Sequence, residues 1–202
     1  MRVLVTGADG FVGRELVRAL RAAGHYVVEF KLSSGHDITK KETIAPAMHG
    51  IGVVCHLAAV LDETAPELWR VNVEGTKNML DAAVRAGVEQ FIFLSTVGVM
   101  GDVDSEADES APYNPKTKYE KSKAEAEKLV LSYQEALPVT VVRSALVLGA
   151  NKYWAEIARA VRKGAPLAGS GENTWQTVYV KDLANALVFL TGRDDAIGEV
   201  FI

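Results

Sequence analysis

The sequence predicts an α/β fold built on a doubly wound, parallel β-sheet. Short apolar runs alternate with longer helical patterns along the chain, which is typical of βαβ units. The apolar runs are nearly continuous, as expected of strands that helices cover on both faces. Right-handed crossovers between such strands place helices on both sides of the sheet.

Six apolar runs have the length of buried strands. They are residues 2–5, 26–30, 53–57, 90–95, 139–143 and 199–202. Six helical patterns complete the alternation. They are residues 11–23, 41–48, 66–86, 114–136, 153–163 and 182–191. Asn114 followed by Pro115 predicts the N-cap and first position of the fourth helix, and Asp182 is expected to cap the last helix rather than to act in catalysis.

The bulk composition predicts one globular domain over residues 1–202. That length is sufficient to bury a sizeable core. The net charge of −4 gives no basic footprint for nucleic acid, and no segment approaches the roughly 18 apolar residues of a membrane span. The single cysteine, Cys55, lies in an apolar strand and is expected to be a core thiol. With no signal peptide visible, we expect a cytoplasmic protein that binds neither nucleic acid nor membrane.

The turn after the first strand has the spacing T-G-x-x-G-x-x-G. Gly7 can take a backbone dihedral that a side chain would forbid. Gly10 lets the backbone approach a pyrophosphate, and Gly13 lets the helix pack close to the strand. The helix N-terminus then offers free N–H groups to phosphates, so this strand–turn–helix unit predicts a dinucleotide site rather than a plain turn. The predicted cofactor contacts here are Gly7, Asp9, Gly10, Phe11, Val12 and Gly13.

Tyr119 and Lys123 stand four residues apart, on one face of the predicted helix 114–136. A nearby ammonium lowers the pKa of a phenol from its ordinary value near 10, so such a pair can move a proton to or from a carbinol. On a helix rich in Lys and Glu the motif alone would more often mark a solvated face. Thr96 adds weight, since it ends a strand at the sheet edge where ligands bind in α/β folds.

Taken together, these motifs resemble the short-chain dehydrogenase/reductase superfamily, and within it the extended, epimerase/dehydratase-like branch. The resemblance runs over the whole chain, and the order of the motifs is far more specific than any one of them. In chain order they are Thr6-Gly7-x-x-Gly10-x-x-Gly13, Asp37-Ile38, His56-Leu57-Ala58-Ala59, Asn72-Val73-x-Gly75-Thr76, Leu94-Ser95-Thr96 with Gly101, Tyr119-x-x-x-Lys123, Arg143 with Gly149, and Val178-Tyr179-Val180-Lys181-Asp182.

The resemblance implies a Rossmann fold that binds NAD or NADP and exchanges a hydride with a secondary alcohol or ketone. Thr96 would hydrogen-bond the substrate oxygen, Tyr119 would be the acid/base, and Lys123 would lower its pKa and hold the nicotinamide ribose. Further cofactor contacts implied by the resemblance are Asp37 and Ile38 at the adenine, Ala58 and Ala59 along the channel with Leu57 and Leu94 beside them, and Asn72 near the nicotinamide. For Asn72, a structural bond to nearby backbone is an equal alternative.

Residue 31 bears on the choice between NAD and NADP. NAD-dependent members usually carry an acid after the second strand, which binds the ribose 2′-hydroxyl. Here Lys31 stands in that place, with Ser33 close by and Arg14 available from the first helix. A cation and hydroxyls suit a 2′-phosphate better, so the sequence leans towards NADP. The alternative is that Lys31 is solvated and Glu29 handles the ribose.

The substrate side lacks polar groups that sugar-nucleotide enzymes of this branch commonly carry. Leu146 stands where they have an asparagine, and Met100 where they have a tyrosine. A small substrate lobe built by residues 144–181, shorter than in the family and truncated in this chain, would therefore favour an apolar alcohol or ketone. Arg143 is expected to form either a structural ion pair or part of the pocket.

Two other functions stay open at the level of sequence. One is a sugar-nucleotide epimerase or dehydratase, in which the hydride step is reversed within one turnover. The other is a non-catalytic module that senses NADP, against which the retention of Thr96, Tyr119 and Lys123 argues. The four histidines lack ligand spacing, so we expect no metal site.

Helices 66–86 and 114–136 carry apolar stripes, and in the family these two helices pair across a two-fold axis. The resemblance therefore implies a homodimer. The alternative is that the stripes only face the sheet. The stripe residues are Leu68, Val71, Met79, Ala83 and Val130.

Overall fold

A computed structural model of the chain describes residues 1–102, 106–165 and 175–202. Among these residues, six strands form one parallel sheet. They are β1 (Arg2–Thr6), β2 (Tyr26–Phe30), β3 (Val53–His56), β4 (Gln90–Thr96), β5 (Val139–Ser144) and β8 (Val200–Phe201). Their order in the sheet is β2-β1-β3-β4-β5-β8. Two further strands, β6 (Leu146–Leu148) and β7 (Thr177–Tyr179), form a separate parallel pair.

In the described part of the chain, six α-helices connect or flank these strands. They are α1 (Phe11–Ala22), α2 (Lys41–Ala47), α3 (Thr76–Ala86), α4 (Lys118–Ser132), α5 (Lys152–Arg162) and α6 (Val180–Leu190). One buried apolar cluster joins α2, α3 and α4 to one face of the sheet, and a second joins α1 and α6 to the other. The doubly wound parallel sheet expected from the sequence is therefore confirmed.

The two clusters explain why the strands read as continuous apolar runs. In β1, Leu4 packs into the first cluster while Val3 and Val5 pack into the second. In β3, Cys55 is fully buried, and burial raises the pKa of its thiol to about 12. The expected core thiol is therefore in place, and it is protonated at neutral pH.

The start of the fourth helix differs from the sequence expectation. α4 begins at Lys118, and its N-cap is Thr117 rather than Asn114. The Thr117 hydroxyl accepts from the Glu120 N–H at 3.2 Å, and the Glu120 carboxylate accepts from the Thr117 N–H at 2.9 Å. This reciprocal capping box satisfies two free N–H groups, which the Asn114-Pro115 pair does not do, so the predicted cap at Asn114 was wrong.

Three other features differ in detail from the sequence expectation. The pattern 66–86 is helical from residue 68, but a wide π-helical turn, Arg70–Gly75, precedes α3. Asp182 lies in the first turn of α6, whose N-cap is Tyr179; the carboxylate acts on the helix dipole there rather than as a cap. The sequence pattern missed β6 and β7, since strands of three residues are too short to show a period.

The apolar stripes of the two long helices face the interior of this chain. Met79, Ala83 and Val130 are fully buried in the cluster beneath α3 and α4, and Leu68 is buried nearby. These residues therefore stabilise the monomer fold, and the homodimer remains a prediction without their support.

The described residues contain neither a candidate membrane-spanning helix nor a candidate cluster of metal ligands. No helix in those ranges is both long and apolar enough to cross a membrane. No group of three or more His, Cys, Asp or Glu side chains within the same ranges is arranged to hold a metal ion.

The tight contact between α1 and the turn before it yields a first prediction. A Cβ added at Gly13 would lie 2.1 Å from the carbonyl oxygen of Gly7, so Gly13→Ala must push the helix off the strand. We expect the free energy of unfolding to fall by about 1–3 kcal/mol, measured by urea denaturation without cofactor. The control is Gly52→Ala, whose new Cβ would find its nearest atom at 3.5 Å. Equal stability of the two variants would contradict this account.

Candidate cofactor and active site

The glycine turn lies where β1, β2 and β3 end. Gly7 has a φ of +66°, and its N–H donates to the Phe30 carbonyl at 3.0 Å. A Cβ at Gly7 would lie 3.0 Å from the Ala58 nitrogen, so only glycine allows this approach. The N-cap of α1 is Gly10, which has no side chain to accept its N–H groups, and the first turn holds no acidic residue. The helix N-terminus is thus open to an anion.

A buried chain of hydrogen bonds holds the loop that faces this turn. The Thr6 hydroxyl accepts from the N–H groups of Leu57 and Ala58, both at 3.0 Å, and lies 2.8 Å from His56 Nδ1. His56 Nε2 lies 3.0 Å from the Thr76 hydroxyl. That hydroxyl donates to the Asn72 carbonyl at 2.7 Å. Each group finds a partner if Thr6 donates to Nδ1 and Nε2 carries the proton.

His56 is neutral in this network. Burial lowers the pKa of its imidazole to about 3, and the nearby Lys123 ammonium acts in the same direction. His56 therefore helps to hold the loop at Leu57 and Ala58 by hydrogen bonding rather than by charge. The sequence motif includes His56, but it does not show that Thr6 and Thr76 are its partners.

The predicted adenosine contacts lie together beyond the end of β2. The Ser33 hydroxyl donates to Asp9 Oδ2 at 2.7 Å, which joins the glycine turn to this segment. Arg14 donates to the Asp9 carbonyl at 2.7 Å. Asp37 Oδ1 accepts from the Thr39 N–H and hydroxyl at 2.9 and 2.8 Å, so this oxygen already organises its own turn.

Ile38 lies deeper than Asp37 and packs against the helix that follows β3. Its side chain is buried. A Cβ added at Gly75 would come within 2.7 Å of the Ile38 side chain. The glycine of the Asn72-Val73-x-Gly75-Thr76 motif is therefore required by this contact.

Lys31 is ion-paired. Its Nζ lies 2.9 Å from Glu29 Oε2, while Arg21 donates to Glu29 Oε1 at 2.7 Å. Hydrogen bonds from Lys31 and Arg21 lower the pKa of the Glu29 carboxyl below its ordinary value. The lysine that the sequence offers as a free cation thus shares a carboxylate with an arginine.

Asn72 is held by the protein itself. Its Oδ1 accepts from the Val60 N–H at 2.8 Å, and its Nδ2 donates to the Val60 carbonyl and the Ser122 hydroxyl, both at 2.9 Å. Asn72 is buried, and these bonds tie the loop after β3 to α4. The geometry matches the structural alternative for Asn72, and its cofactor contact remains a prediction.

The proposed reacting groups meet at the end of β4. Lys123 is buried, and its Nζ donates to the Leu94 carbonyl at 2.7 Å and lies 4.0 Å from the centre of the Phe93 ring. Thr96, two residues beyond Leu94, accepts from the Gly98 N–H at 3.2 Å, which leaves its hydroxyl hydrogen free to donate. Tyr119 lies one turn before Lys123 on α4 and is half-buried.

The charge states of these groups are set mainly by burial. Burial raises the pKa of the Tyr119 phenol to about 12, with a smaller contribution from the Glu120 carboxylate. Burial lowers the pKa of the Lys123 ammonium to about 7, against an opposing effect of Glu127. Formation of a phenolate at Tyr119 therefore requires additional positive charge beside it.

Arg143 and Glu127 form a buried ion pair behind the site, and the sequence predicted only the arginine as a member of such a pair. Arg143 donates from Nη2 and Nε to Glu127 Oε1 at 2.8 and 3.0 Å, so it forms the structural ion pair that was one of its two expected roles. Glu127 follows Lys123 by four residues, as Lys123 follows Tyr119, so the sequence pattern places Glu127 on the same helix face. The sequence does not identify Arg143 on β5 as its partner, because no local pattern relates the two positions.

The substrate side of the described residues is largely apolar. Met100 is buried, Leu146 and Leu148 are half-buried in β6, and Trp154 donates its indole N–H to the Val147 carbonyl at 2.9 Å. Residues 166–174 of the predicted segment 144–181 lie outside the described residues.

The buried histidine generates a prediction about acid stability. In the unfolded chain the His56 pKa has its ordinary value of 6.5, and in the folded protein it falls to about 3. The unfolded state therefore takes up a proton first as the pH falls. His56 lowers the free energy of unfolding progressively between these values, by up to about 1.4 kcal/mol per pH unit.

His56→Gln retains a hydrogen-bonding amide but does not titrate, so we expect its stability to depend less steeply on pH over that interval. Urea unfolding at a series of pH values measures the slope. His49→Gln, at an exposed histidine, is the control. An unchanged slope in His56→Gln would show that this residue is not the one that takes up the proton.

Comparison with known proteins identifies the family of the chain. The chain matches the model of the NAD dependent epimerase/dehydratase family over residues 3–201. The 3-beta-hydroxysteroid dehydrogenase of Mycolicibacterium neoaurum is 40% identical over an alignment of 155 positions that covers 64% of this chain and 42% of that protein. The UDP-glucose 4-epimerase of Vibrio cholerae is 30% identical over an alignment of 229 positions that covers 99% of this chain and 69% of that protein.

A solved structure shows the same architecture. The UDP-glucose 4-epimerase of Thermus thermophilus in complex with NAD superposes with a TM-score of 0.85 at 28% identity, covering 99% of this chain and 76% of that chain. The match thus spans less than half of the hydroxysteroid dehydrogenase and about three quarters of this epimerase. Since the family model covers nearly every residue from β1 to β8, the chain belongs to the NAD-dependent epimerase/dehydratase family of the extended short-chain dehydrogenases/reductases.

Proposed function

We propose that this protein is an NAD(P)-dependent oxidoreductase that transfers a hydride between the nicotinamide and a secondary alcohol or ketone. The observation that carries the proposal is the bond from Lys123 Nζ to the Leu94 carbonyl. It fixes the Tyr119–Lys123 face of α4 at the end of β4, beside Thr96. In open α/β sheets, ligands bind at this carboxyl edge of the strands.

The residues at the other end of the site fit a dinucleotide. The cap of α1 at Gly10 has N–H groups that no side chain accepts, and the glycine turn approaches the loop at Ala58 too closely for any Cβ. A pyrophosphate would bind to those N–H groups, with Asp9 and Ser33 on the ribose side. The bound cofactor supplies hydride exchange at the nicotinamide C4.

The side chains at the end of β4 can perform the proton chemistry. Thr96 can donate its free hydroxyl hydrogen to a substrate oxygen. Lys123 uses one donor on the Leu94 carbonyl and keeps others for ribose hydroxyls. Its positive charge also favours the phenolate of Tyr119, which would accept the proton from the carbinol and return it in the reverse direction.

The apolar substrate side supports an apolar secondary alcohol or ketone, such as a hydroxysteroid. Met100, Leu146 and Leu148 offer no polar side chain for a sugar phosphate, and a hydroxysteroid dehydrogenase is 40% identical over its matched residues. The second candidate is a sugar-nucleotide epimerase or dehydratase. The coverage of 99% of this chain by a UDP-glucose 4-epimerase favours it.

We propose NAD rather than NADP as the cofactor, although the sequence leaned towards NADP. The preference for NADP rested on Lys31, and the ammonium of Lys31 is paired with Glu29. A 2′-phosphate would have to compete with this carboxylate for the lysine, whereas a ribose hydroxyl can share the pair.

Glu29→Gln tests the role of this carboxylate. The change leaves Lys31 and Arg21 without their counter-charge, so the affinity for NADPH should rise by about tenfold relative to NADH, which corresponds to about 1.4 kcal/mol. The affinities are measured by the fluorescence of the two reduced cofactors. The control is Glu15→Gln, which breaks the exposed ion pair between Glu15 and Arg18 on α1. Wild-type protein that already prefers NADPH, and loses that preference in Lys31→Ala, would refute the choice of NAD.

Tyr119→Phe tests the reaction itself. The variant lacks the proton-transfer group, so turnover should fall by about two to four orders of magnitude while the NADH affinity stays nearly unchanged. A 3β-hydroxysteroid and UDP-glucose are the two substrates to assay. Tyr133→Phe, at the end of the same helix, removes a hydroxyl that donates to Asp81 on α3 and serves as control. Turnover that survives in Tyr119→Phe would assign the acid/base to another residue.

A further inference from the structure

Glu127 is a carboxylate in the protein interior that the proposed reaction does not use. Its side chain has no exposed surface. It lies one helical turn beyond Lys123 and two turns beyond Tyr119, on the same face of α4. Burying an ionised carboxylate is costly unless it is paired and hydrogen-bonded, so its surroundings must compensate for the lost hydration.

Four hydrogen bonds provide that compensation. Oε1 accepts from Arg143 Nη2 and Nε, and from the Tyr113 hydroxyl at 2.9 Å. Oε2 accepts from the Ser95 hydroxyl. All four partners donate to the two carboxylate oxygens, and two of these donors belong to one guanidinium.

The donors come from three segments that border the site. Ser95 lies in β4 between Leu94, whose carbonyl binds Lys123, and Thr96. Arg143 lies near the end of β5 and also donates from Nη1 to the Glu109 carbonyl at 3.0 Å. Tyr113 belongs to the segment before α4. One carboxylate thus joins β4, β5 and residues 109–113 to the helix that carries the reacting groups.

The Glu127 carboxylate also acts on the protonation of Lys123, because few other charged groups in the described part of the chain lie around this lysine. Among the described residues, two buried cations, Lys123 and Arg143, share the single buried carboxylate of Glu127. His56, at the end of β3, is neutral because the pKa of its imidazole is about 3. Burial, followed by Glu127, raises the pKa of Tyr113 to about 12.

The remaining groups around Lys123 and Glu127 do not replace this carboxylate. The Tyr119 phenol, with its pKa near 12, is neutral at pH 7. Lys128 lies over the outer side of the Tyr113 ring, with its Nζ 5.0 Å from the ring centre, and Glu120 is engaged in the cap of α4. Glu127 is therefore the negative charge on the Lys123 face of the helix that opposes the effect of burial on the lysine.

We propose that Glu127 is a positioning residue for the reacting groups: its carboxylate favours the ammonium form of Lys123 and, through Ser95 and Arg143, holds the ends of β4 and β5 beside it. The link to catalysis rests on the proposed function, because it is there that Lys123 acts on Tyr119 and the ribose. The effect on Lys123 itself does not depend on any substrate or cofactor.

The direct test is the titration of Lys123 by NMR in the whole chain, with lysine labelled with 13C at Cε. The Lys123 signal is identified by its absence from Lys123→Arg. In wild type the midpoint is expected near pH 7. Glu127→Gln preserves the shape but removes the charge, so the midpoint should fall by about one pH unit or more. Arg143→Met removes the competing cation and should raise the midpoint.

A matched control lies two residues away. Glu125 is exposed on the opposite side of α4, so Glu125→Gln makes the same chemical change without altering the interior and should leave the midpoint in place. Opposite shifts in Glu127→Gln and Arg143→Met support the proposal, while a merely structural role would shift neither. An unchanged midpoint in Glu127→Gln overturns it. If that variant does not fold, the direction of the shift in Arg143→Met decides.

The catalytic half of the proposal is tested with whichever substrate is turned over. The kcat of Glu127→Gln should fall while the affinity for NADH stays within about threefold of wild type, and loss of activity at high pH should begin at a lower pH. Unchanged kcat and pH dependence overturn this half. If no turnover is found in wild type, the proposed oxidoreductase function fails, and the lysine titration still decides the charge relation.

Discussion

The site depends on the close approach of three backbone segments around Gly7. A Cβ at Gly13 would lie 2.1 Å from the carbonyl oxygen of Gly7, and a Cβ at Gly7 would lie 3.0 Å from the Ala58 nitrogen on the other side. This packing brings the open N-terminus of α1 to the carboxyl edge of the sheet, where β4 also ends. Because a side chain at either glycine would separate these segments, the cofactor cradle and the core beneath α1 form under the same steric constraint.

Two buried polar networks support that edge of the sheet by different physical means. The Thr6–His56–Thr76 network is neutral and satisfies the backbone of the loop after β3 by hydrogen bonds alone. The Glu127–Arg143 network is charged and acts on Lys123 through its field as well as through its bonds. In a region of low dielectric, a neutral network gives a fixed shape, while a charged one also sets the protonation of its neighbours.

Pairing within the protein also reduces the number of polar groups that are free to bind a ligand. Lys31 stands at the predicted 2′-position, but its ammonium is paired with Glu29, a carboxylate that it shares with Arg21. Asn72 is similarly occupied, since the backbone of Val60 takes both ends of its amide. On the substrate side Met100 and Leu146 add no polar side chain, which favours the proposed apolar ligand over a sugar nucleotide.

The sequence by itself determined the parallel sheet, the glycine turn and the spacing of Tyr119 and Lys123, because each depends on a period or turn within a few neighbouring residues. Local patterns were less accurate at the start of α4, where Thr117 and Glu120 cap the helix in preference to Asn114. Only the tertiary structure decided the pairing of Glu127 with Arg143 and of Asn72 with Ser122, as the latter two are 50 residues apart in the chain. Such contacts depend on which strands and helices pack together, and no local pattern encodes the partner of a buried polar group.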